Sequence, residues 1–582
     1  MKPPSPCNCP GKTIPASDEI ANIENRGAET KEATLHTNLG TYQAVCDAHK
    51  WDIPDTFNIA VDVCDRHAEA SPDKLALIVV DDSADDQQYS FSDLRRLSNK
   101  LANLLSGHGL KKGDRLGILL SQSVEAAISH LATWKLGAIS IPLFTLFGED
   151  ALKFRLQNSS ASVLVTDAAN LAKIEAIRDQ LPDLKRVLVV DAVADAGDTI
   201  DFWAEMETAS EAFTPLVTSA EDPAFIVYTS GTTGNPKGAL HAHRTLFGHL
   251  SGMELFHDFM PQENDRMWTP ADWAWIAGLM NCLMCSWHHG VTNVAYRAKK
   301  YDPQAALRLM AEYQIRNVFM PPTALNLMRS VADIPGYGVK LRTIAVAGEP
   351  MGAELLDWAR ENLGVTCNEF YGQTECNLIV TNCQAIMAVK PGSMGRPAPG
   401  HSIEIMDKDG NILPVGQEGE IVVKSPDPVM LLRYWDNPQA TVEKYRDGWL
   451  RTGDDGRKDA DGYLWFVGRA DDVITSAGYR IGPGEIEDCL CTHAAVSLAA
   501  AIGVPDPVRT EAVKVFILLK PGFTGSPELE EDIRSHVKKR LSPHEYPRLI
   551  EFVNELPLTA TNKIKRKDLR DAEIAKMKNE KP

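Results

Sequence analysis

"YTSGTTGNPKGAL", residues 228–240, is the stretch that decides the fold, because it places a Gly- and Thr-rich turn directly after the apolar run "AFIV" at 224–227. An apolar run that ends in such a turn indicates a buried strand followed by an anion-binding loop, since glycine permits positive φ angles and lets several N–H groups point inward. Hydroxyl donors and one cation complete the loop: Thr229, Ser230, Thr232, Thr233 and Lys237. The common G-x-x-x-x-G-K-[ST] pattern does not fit, because Gly238 follows the lysine. The sequence therefore predicts a phosphate-binding loop of another type.

Outward from this loop, apolar runs alternate with helical patterns along the chain. Buried strands are predicted at 75–80, 161–167, 186–191, 224–230, 317–322 and 342–350. A helix is predicted over 90–105, where Ser90 and Asp93 form a capping box and leucines recur on one face. Continuous apolar strands alternating with helices are typical of parallel sheets, which bind ligands beyond the carboxyl ends of their strands. We therefore expect the loop at 229–238 to lie at a ligand site.

The texture of the sequence changes along the chain and suggests three segments. Residues 1–40 are polar and rich in Pro and Gly, and we expect a poorly ordered or surface arm. Residues 41–470 are expected to form a large domain that ends in a small antiparallel β unit, first indicated at 400–425 by short alternating strands and Asp-Gly turns. Residues 471–582 are expected to form a small α+β domain, in which 526–541 reads as an amphipathic helix.

Length, charge and cysteine usage exclude several classes of protein. The chain has 582 residues and a net charge of −19 without a basic stripe, which argues against nucleic-acid binding. Its first 20 residues lack the apolar core of a signal peptide, and no stretch reaches the ~18 apolar residues that a membrane span needs. The 11 cysteines are scattered without framework spacing. We expect a cytoplasmic protein with free thiols and no membrane span.

Six motifs in fixed order then resemble one family. The opening stretch is followed by "AGEP" (347–350), "YGQTE" (371–375), "WLRTGDDG" (449–456), "GRADDVITSAGYRIGPGEIE" (468–487) and "PLTATNKIKR" (557–566). This series resembles the AMP-forming acyl-adenylate enzymes over residues 50–570, and its wording is most similar to the medium-chain acyl-CoA synthetase branch. The resemblance implies an α/β fold, with a large N-terminal domain of helix-flanked sheets plus a small β unit, and a small mobile α+β C-terminal domain.

The resemblance also implies a reaction in two steps. A carboxylate attacks the α-phosphate of ATP to give an acyl-adenylate and pyrophosphate, and a thiol then displaces AMP to give a thioester. ATP, Mg²⁺ and CoA as co-substrate are therefore the expected ligands, together with a small-molecule carboxylate. The expected function is an acid–CoA ligase of fatty acid metabolism.

Nucleotide-binding roles follow from the resemblance residue by residue. The loop at 229–238 would fold over the β- and γ-phosphates, Tyr371 would stack on adenine, and Asp454 would accept hydrogen bonds from the ribose. Thr374 would contact the α-phosphate, and Glu375 would hold Mg²⁺. The complete implied set for ATP and AMP, beside Thr374 and Glu375, is Thr229, Ser230, Gly231, Thr232, Thr233, Gly234, Lys237, Gly348, Glu349, Pro350, Glu369, Tyr371, Gly372, Gln373, Asp454, Arg469 and Arg480.

The C-terminal segment would supply the residue that acts on the carboxylate. Lys563 matches the family lysine that bridges the carboxylate and the α-phosphate, and Asp471 matches the hinge. The implied CoA-binding residues are Ala477, Gly478, Tyr479, Arg509 and Arg548. Two departures bear on these roles, because Asn562 stands where the family has glycine and Glu545 stands where relatives often have lysine. Asparagine tolerates left-handed backbone geometry better than most residues, so the turn before Lys563 can survive.

The same resemblance places the acyl pocket around 272–279, 346–349 and 371–376. Trp273, Trp275, Gly372 and His243 are its candidate residues, and the histidine is equally well explained as a packed structural residue. Acetyl-specific relatives carry tryptophan at the position of Gly372, so glycine is expected to open the pocket. Apart from Asp272, which could bind an amino group, these stretches offer no charged partner for a polar acyl tail. We predict a medium-chain, branched or aromatic monocarboxylate.

Other functions share part of this pattern. A stand-alone adenylating enzyme that loads a carrier protein would carry every adenylation motif. A silent binding protein would lack Lys563, Asp454 or Glu375, and all three are present. A luciferase-like oxygenase has no supporting feature, and a phosphate-loop NTPase is disfavoured by Gly238. The sequence leaves monomer and dimer open.

Overall fold

The computed structural model describes residues 38–81, 86–191, 199–229, 236–296, 301–348, 351–469, 472, 474–476, 479–506, 510–540, 546–558 and 564–579. Its α-helices are α1 (Tyr42–Ala48), α2 (Arg66–Ala70), α3 (Phe91–Gly107), α4 (Val124–Lys135), α5 (Glu149–Ser159), α6 (Ala168–Glu175), α7 (Phe202–Thr208), α8 (Thr245–Phe256), α9 (Cys285–His288), α10 (Pro303–Glu312), α11 (Pro322–Met328), α12 (Ala353–Leu363), α13 (Pro438–Glu443), α14 (Pro483–Cys491), α15 (Pro527–Arg540) and α16 (Arg566–Asn579).

Its strands are β1 (Leu75–Val80), β2 (Gln87–Ser90), β3 (Arg115–Leu119), β4 (Ile139–Pro142), β5 (Val163–Thr166), β6 (Arg186–Val189), β7 (Thr199–Asp201), β8 (Pro223–Thr229), β9 (Lys237–Ala242), β10 (Arg266–Trp268), β11 (Thr292–Tyr296), β12 (Asn317–Phe319), β13 (Thr343–Val346), β14 (Cys367–Gln373), β15 (Cys376–Thr381), β16 (Ser393–Pro397), β17 (Ile403–Met406), β18 (Glu418–Lys424), β19 (Arg433–Tyr434), β20 (Tyr445–Arg446), β21 (Trp449–Lys458), β22 (Leu464–Arg469), β23 (Ile474–Ser476), β24 (Tyr479–Ile481), β25 (Val496–Asp506), β26 (Thr510–Leu519) and β27 (Leu549–Val553).

The first sheet contains the strand that leads into the opening loop. Its order is β19-β9-β8-β4-β3-β5-β6-β7, parallel from β8 to β7 and antiparallel at β8, β9 and β19. Strands predicted at 161–167, 186–191 and 224–230 are confirmed as β5, β6 and β8. The predicted helix is α3, and its capping box is confirmed, since the amide of Asp93 donates to Ser90 Oγ at 3.1 Å and the amide of Ser90 donates to Asp93 Oδ2 at 3.1 Å.

The second sheet has 14 strands in the order β17-β18-β21-β22-β16-β15-β14-β13-β12-β10-β11-β1-β2, with β20 beside β21. It is parallel from β14 to β1 and antiparallel from β14 to β17. The β unit predicted at 400–425 is present as β17 and β18. These strands extend the second sheet, because β18 pairs with β21, which continues through β22 to β16.

The third sheet lies in the C-terminal segment and has its own core. Its order is β24-β23-β26-β25, with β27 parallel to β26. The predicted amphipathic helix is α15, whose Ile533 and Val537 are fully buried against Ile486 and Val515. A separate apolar cluster supports the expectation of a C-terminal domain, and its boundary at 470/471 stays a prediction.

The main core contains large apolar side chains of the two larger sheets and the helices around them. Its largest fully buried apolar members are Trp134, Trp287, Phe91, Phe202, Phe225 and Phe256. Burial of such a core fixes the strands that carry the motifs, since each aromatic residue removes 150–250 Å² from water. The α/β fold class predicted from the sequence is confirmed.

Candidate active site

The opening loop is the connection of a β-hairpin between β8 and β9. Thr229 ends β8 and pairs with Lys237 at the start of β9. Residues 230–235, which include the predicted Ser230, Gly231, Thr232, Thr233 and Gly234, lie outside the described residues. Gly238 comes close to β8, because a Cβ at this position would lie 2.8 Å from Ile226 Cγ2 and 3.2 Å from the Tyr228 ring. Close packing against Ile226 and Tyr228 therefore explains why glycine follows the lysine.

A second hairpin, between β14 and β15, carries the "YGQTE" motif. The turn follows the carboxyl end of β14, which runs parallel to β13. Thr374 is half-buried at this turn, and Glu375 is buried. Glycine is also required at position 372 for a steric reason, since a Cβ there would lie 2.2 Å from the amide nitrogen of Leu378. The structure thus gives Gly372 a backbone role beside the pocket-opening role predicted from the sequence.

A hydrogen-bonded relay connects this hairpin to Asp454 on β21. The Tyr371 phenol donates to Asp454 Oδ2 at 2.6 Å, and Gln373 Nε2 donates to the same oxygen at 3.2 Å. Gln373 Oε1 accepts from Lys444 Nζ at 2.6 Å. Burial first, and then the Asp454 charge, raise the pKa of Tyr371 well above its usual value, so the phenol keeps its proton. Three predicted nucleotide residues, 371, 373 and 454, are therefore brought together.

Glu375 and Lys237 are connected through Tyr434, which lies on β19 beside β9. The Tyr434 phenol donates to Glu375 Oε1, and the amide of Leu431 donates to the backbone oxygen of Glu375 at 2.9 Å. Lys237 Nζ lies 5.4 Å from the centre of the Tyr434 ring. Burial first, and then the Glu375 charge, raise the pKa of Tyr434 far above its usual range. The predicted phosphate lysine and the predicted metal ligand thus share one aromatic neighbour.

Lys444 and Tyr434 are not predicted from the sequence. Tyr434 lies in "RYWDNPQAT", and a tyrosine between Arg433 and Trp435 looks like an ordinary strand residue. Lys444 lies among other charged residues in "TVEKYRDG" and looks like a solvated lysine. Both become site neighbours only through pairing of strands that are distant in sequence. Local sequence offered no signal for either residue.

The predicted adenine side is partly described. Gly348 has a φ of +94°, a conformation that favours glycine, while Glu349 and Pro350 lie outside the described residues. Glu369 on β14 is 7% exposed, and burial raises the pKa of its carboxyl well above the usual value despite a hydrogen bond from the Met351 backbone. Glu369 is thus a buried carboxyl beneath this side of the site.

The predicted acyl residues lie in apolar surroundings. Trp273 is 3% exposed within the main core, while Trp275 is half-buried with its ring edge-on to Phe144 at 5.5 Å. Asp272 accepts from the Ala274 amide at 2.8 Å. Burial raises the pKa of Asp272 to about 6, and the Ala274 amide opposes the shift. Trp275 therefore has an aromatic neighbour, and the acyl role of this stretch stays a prediction.

Two histidines near the opening loop are fully buried. His243 Nδ1 accepts from the Ile59 amide at 3.2 Å, and burial lowers the pKa of this histidine to about 4. His241 stacks on Phe225 with ring centres 4.9 Å apart, and burial lowers its pKa to about 3. Both rings are neutral at pH 7. The pocket role predicted for His243 stays a prediction, and the structure places the ring beside the backbone of Ile59.

Many predicted C-terminal residues cannot be placed. Asp471, Ala477, Gly478, Arg509, Asn562, Lys563 and Glu545 lie outside the described residues. The backbone of Arg469 pairs with Asp454 across β21 and β22, which brings that position to the relay. The backbones of Tyr479 and Arg480 lie in β24, and Arg548 is exposed at the start of β27. Of the four described positions, 469, 479, 480 and 548, only 469 is brought beside the hairpin site by strand pairing.

The chemistry of Glu375 fits Mg²⁺ as that of a single carboxylate ligand. Among the described residues, no group of three or more His, Cys, Asp or Glu side chains is arranged to hold a metal ion. Mg²⁺ in nucleotide enzymes is usually bound by one or two carboxylates plus substrate phosphates and water, and needs no all-protein cage. A single oriented carboxylate across from Lys237 matches that chemistry.

The part of the chain that the structure describes includes no helix that is long and apolar enough to cross a bilayer.

Known proteins resemble this chain over nearly its whole length. Residues 64–435 match the AMP-binding enzyme family, and residues 485–563 match the AMP-binding enzyme C-terminal domain. Acyl-coenzyme A synthetase ACSM3, mitochondrial, of Rattus norvegicus is 35% identical over 92% of this chain and 94% of the relative. Acetyl-coenzyme A synthetase of Bacillus subtilis (strain 168) is 35% identical over 89% of this chain and 91% of the relative.

Among solved structures, the anthranilate CoA ligase AuaEII in complex with anthranoyl-AMP superposes with a TM-score of 0.84 at 30% identity, covering 90% of this chain and 99% of that chain. The family match spans more than half of the chain and contains both hairpins described above. The chain belongs to the AMP-binding enzyme family.

Proposed function

We propose that this protein is an AMP-forming acid–CoA ligase, which converts a medium-chain, branched or aromatic carboxylate, ATP and CoA into acyl-CoA, AMP and pyrophosphate. The observation that carries the proposal is the convergence of the Tyr371–Glu375 hairpin with Asp454 and Lys237. Family membership and the acyl-CoA synthetase and CoA ligase names of the relatives support the reaction.

The proposed reaction requires a nucleotide site and an apolar site next to each other. A carboxylate oxygen bonds to the α-phosphorus of ATP, the bond to the bridging oxygen breaks, and pyrophosphate leaves. The sulfur of CoA then bonds to the acyl carbon, the bond to AMP breaks, and the thiol proton goes to solvent or to phosphate. The protein must hold two anions in line and offset the charge on the phosphates.

The hairpin residues have roles suited to their geometry. Asp454 would accept hydrogen bonds from the ribose, with its Oδ2 already held by Tyr371 and Gln373. The half-buried Thr374 hydroxyl would contact the α-phosphate, and Lys237 would contact the β- or γ-phosphate. Each contact joins a fixed protein dipole or charge to the nucleotide, and such preorganised groups lower the barrier without reorganising during reaction.

Glu375 would hold Mg²⁺ against the phosphates. The metal, when bound, neutralises phosphate charge and polarises the phosphoryl oxygens. The Tyr434 hydrogen bond fixes one oxygen of the Glu375 carboxylate and so sets the direction of the other. Glu375 lies at the turn between β14 and β15 and its tyrosine partner lies on β19, so the orientation depends on the folded sheets.

The C-terminal residues complete the proposal. Lys563 would bridge the carboxylate and the α-phosphate during adenylation, and rotation about Asp471 would then present Ala477, Gly478 and Tyr479 to the thiol. Arg480, Arg509 and Arg548 would contact phosphates of the adenylate or of CoA. These roles rest on the sequence motifs.

The proposed acid is apolar because of the surroundings of Trp275, which is half-buried against Phe144. The names of ACSM3 and of the anthranilate ligase are consistent with an acyl or aromatic acid. The acetyl-coenzyme A synthetase of Bacillus subtilis makes acetate the comparison that the substrate test must include.

We also propose that the protein acts in the cytoplasm. The ACSM3 relative is named as a mitochondrial protein. Fractionation of cells that express the tagged full-length chain separates the two locations, and co-purification with mitochondria would contradict the proposal.

The test is carboxylate-dependent release of AMP and pyrophosphate across acetate to decanoate, isobutyrate, benzoate and phenylacetate, with and without CoA. CoA-dependent thioester on one cluster of apolar acids is expected. Adenylate that CoA does not discharge would identify a carrier-protein loader. If AMP and pyrophosphate were released at the same rate in the presence and in the absence of each acid, the proposed ligase activity would be contradicted.

A further inference from the structure

Lys444 is a lysine with a fixed position beside the candidate active site. Its backbone caps α13, since its amide donates to Ala440 O at 3.1 Å and to Thr441 O at 3.3 Å, and its carbonyl accepts from the Arg451 amide at 2.8 Å. Its ammonium donates to Gln373 Oε1 at 2.6 Å and lies 3.4 Å from Thr452 O. The side chain is half-buried. Lys444 is therefore held against the hairpin by both its backbone and its ammonium.

The ammonium acts together with two acceptors on the other side of the Gln373 amide, and all three favour the same orientation of that amide. A glutamine amide has an oxygen that accepts and an NH₂ group that donates, whereas a lysine ammonium can only donate. Lys444 therefore selects the oxygen and turns the NH₂ group away from itself. In that orientation Gln373 Nε2 donates to Thr452 O at 3.0 Å and to Asp454 Oδ2 at 3.2 Å.

The end of this chain of bonds is the carboxylate proposed to read the ribose. Asp454 Oδ2 accepts from both Gln373 and Tyr371, the latter at 2.6 Å. If the amide were reversed, its oxygen would face the Asp454 carboxylate, and the two acceptors would repel each other. Lys444 prevents that arrangement without touching Asp454.

We infer that Lys444 is a positioning residue for the nucleotide: through the Gln373 amide it orients Asp454 toward the ribose hydroxyls and so sets how strongly the protein distinguishes ATP from analogues that lack them. The inference rests on the ribose role proposed for Asp454. It concerns binding alone and needs neither acid nor CoA.

The test is calorimetric titration of the full-length protein with ATP and with 2′,3′-dideoxy-ATP, which lacks both hydroxyls. In the unmodified protein, ATP is expected to bind more tightly. Lys444→Met should weaken ATP binding about tenfold, the usual size for one lost hydrogen bond to a charged group, and leave dideoxy-ATP binding unchanged. The ratio of the two dissociation constants is a readout that a general loss of structure would not move.

Lys458→Met is the matched control, because Lys458 lies on β21 and donates to Ile403 O at 2.9 Å and to Glu404 Oε2 at 2.7 Å. It removes a half-buried lysine with two acceptors from the same β unit and should keep the ratio. Gln373→Glu covers the case in which Lys444→Met does not fold, since a glutamate still pairs with Lys444 but cannot donate to Asp454. It should also lose the preference for ATP.

Equal weakening of both nucleotides in Lys444→Met and Gln373→Glu, or an unchanged ratio in both, would overturn the inference. Failure of the proposed function looks different: a protein that binds ATP with ribose preference but makes no thioester from any acid fails as a ligase and leaves the role of Lys444 intact.

Discussion

The proposed nucleotide half and the proposed acyl half of the candidate active site, called here the nucleotide half and the acyl half, are built in opposite ways. On the nucleotide half, Asp454, Tyr371, Gln373 and Lys444 are connected by hydrogen bonds of 2.6–3.2 Å between strands and turns far apart in sequence. On the acyl half, Trp275 is held by packing, as in its edge-on contact with Phe144. Hydrogen bonds are directional and fix the positions of individual atoms, whereas packing constrains only the volume that the side chains occupy.

This difference suggests how each half responds to substitution. Loss of one donor in a buried polar network leaves the remaining groups without a partner, so effects on nucleotide binding should be large and nearly independent of the acid. Apolar substitutions of similar volume are tolerated, so effects on the acyl half should differ from one acid to another.

The largest effect should come from the proposed adenylation lysine. Lys563→Ala should lower acyl-adenylate formation by about 100–1,000-fold, the range for removing one transition-state contact, and by the same factor for every acid. Pyrophosphate exchange measures this step. Thioester formation from synthetic acyl-adenylate and CoA should be unchanged.

Lys565→Ala is the control, since Lys565 is exposed and lies 3.8 Å from Asp568. It should leave both steps unchanged. If the loss of adenylate formation in Lys563→Ala differed strongly from one acid to another, the nucleotide half and the acyl half would not act independently.

Gly372 is predicted from the sequence to belong to both halves, and its substitution tests which one it serves. Gly372→Ala places a methyl group 2.2 Å from the Leu378 amide nitrogen, so the hairpin must shift. We expect a loss of about 1–3 kcal/mol in the free energy of unfolding, as for other overpacked sites, and slower adenylation of every acid. Urea denaturation and a panel of acids measure the two.

Gly107→Ala is the control, because a Cβ at Gly107 meets no atom within 4 Å at the exposed end of α3. Unchanged stability of Gly372→Ala together with exclusion of only the larger acids would instead make Gly372 a pocket residue alone.

A smaller effect is expected for Tyr434, which orients the proposed metal ligand. Tyr434→Phe removes the phenol that donates to Glu375 and keeps the ring below Lys237. The Mn²⁺ concentration needed for half-saturation of the ATP complex, followed by electron paramagnetic resonance, should rise about tenfold, as for other hydrogen bonds to charged groups.

Tyr463→Phe removes a similar bond, from a phenol to Ala388 O at 2.6 Å, and should leave metal binding unchanged. Equal metal affinity in the unmodified protein and Tyr434→Phe would show that Glu375 needs no such partner.

The smallest effect on activity should come from Asp272, the carboxyl in the acyl half, whose substitution is expected to act on stability. Burial raises its folded pKa to about 6, above the value near 3.9 of an unfolded chain. Between about pH 4 and pH 6 the unfolded chain therefore binds fewer protons than the folded protein, and the free energy of unfolding falls as pH rises through that window.

Asp272→Asn should remove this dependence, so the free energy of unfolding of the variant, relative to that of the unmodified protein, should grow by about 2 kcal/mol between pH 4 and pH 7. Urea denaturation at the two pH values is the measurement. A constant difference would show that Asp272 is ionised throughout, and faster turnover of amino acids than of apolar acids would then give the acyl half a charged anchor.

Much of the fold could be predicted because its signals are local. The apolar run before the opening loop predicts β8, the Ser90–Asp93 capping box predicts the start of α3, and the spacing of Ile533 and Val537 predicts the buried face of α15. Each signal depends on a few neighbouring residues, and burial of the apolar face then stabilises the element.

What the sequence determined by itself was the family, the α/β class and the order of the motifs, since these reside in contiguous residues. Only the tertiary structure decided that Lys444 faces Gln373, that Tyr434 donates to Glu375 and that Gly372 meets the Leu378 backbone. Except for that last contact within one hairpin, these neighbours lie 59 to 71 positions apart. Their meeting depends on which strands pair and in what register, and a shift of one residue would turn the strand residues Gln373 and Tyr434 to the other face of their sheets.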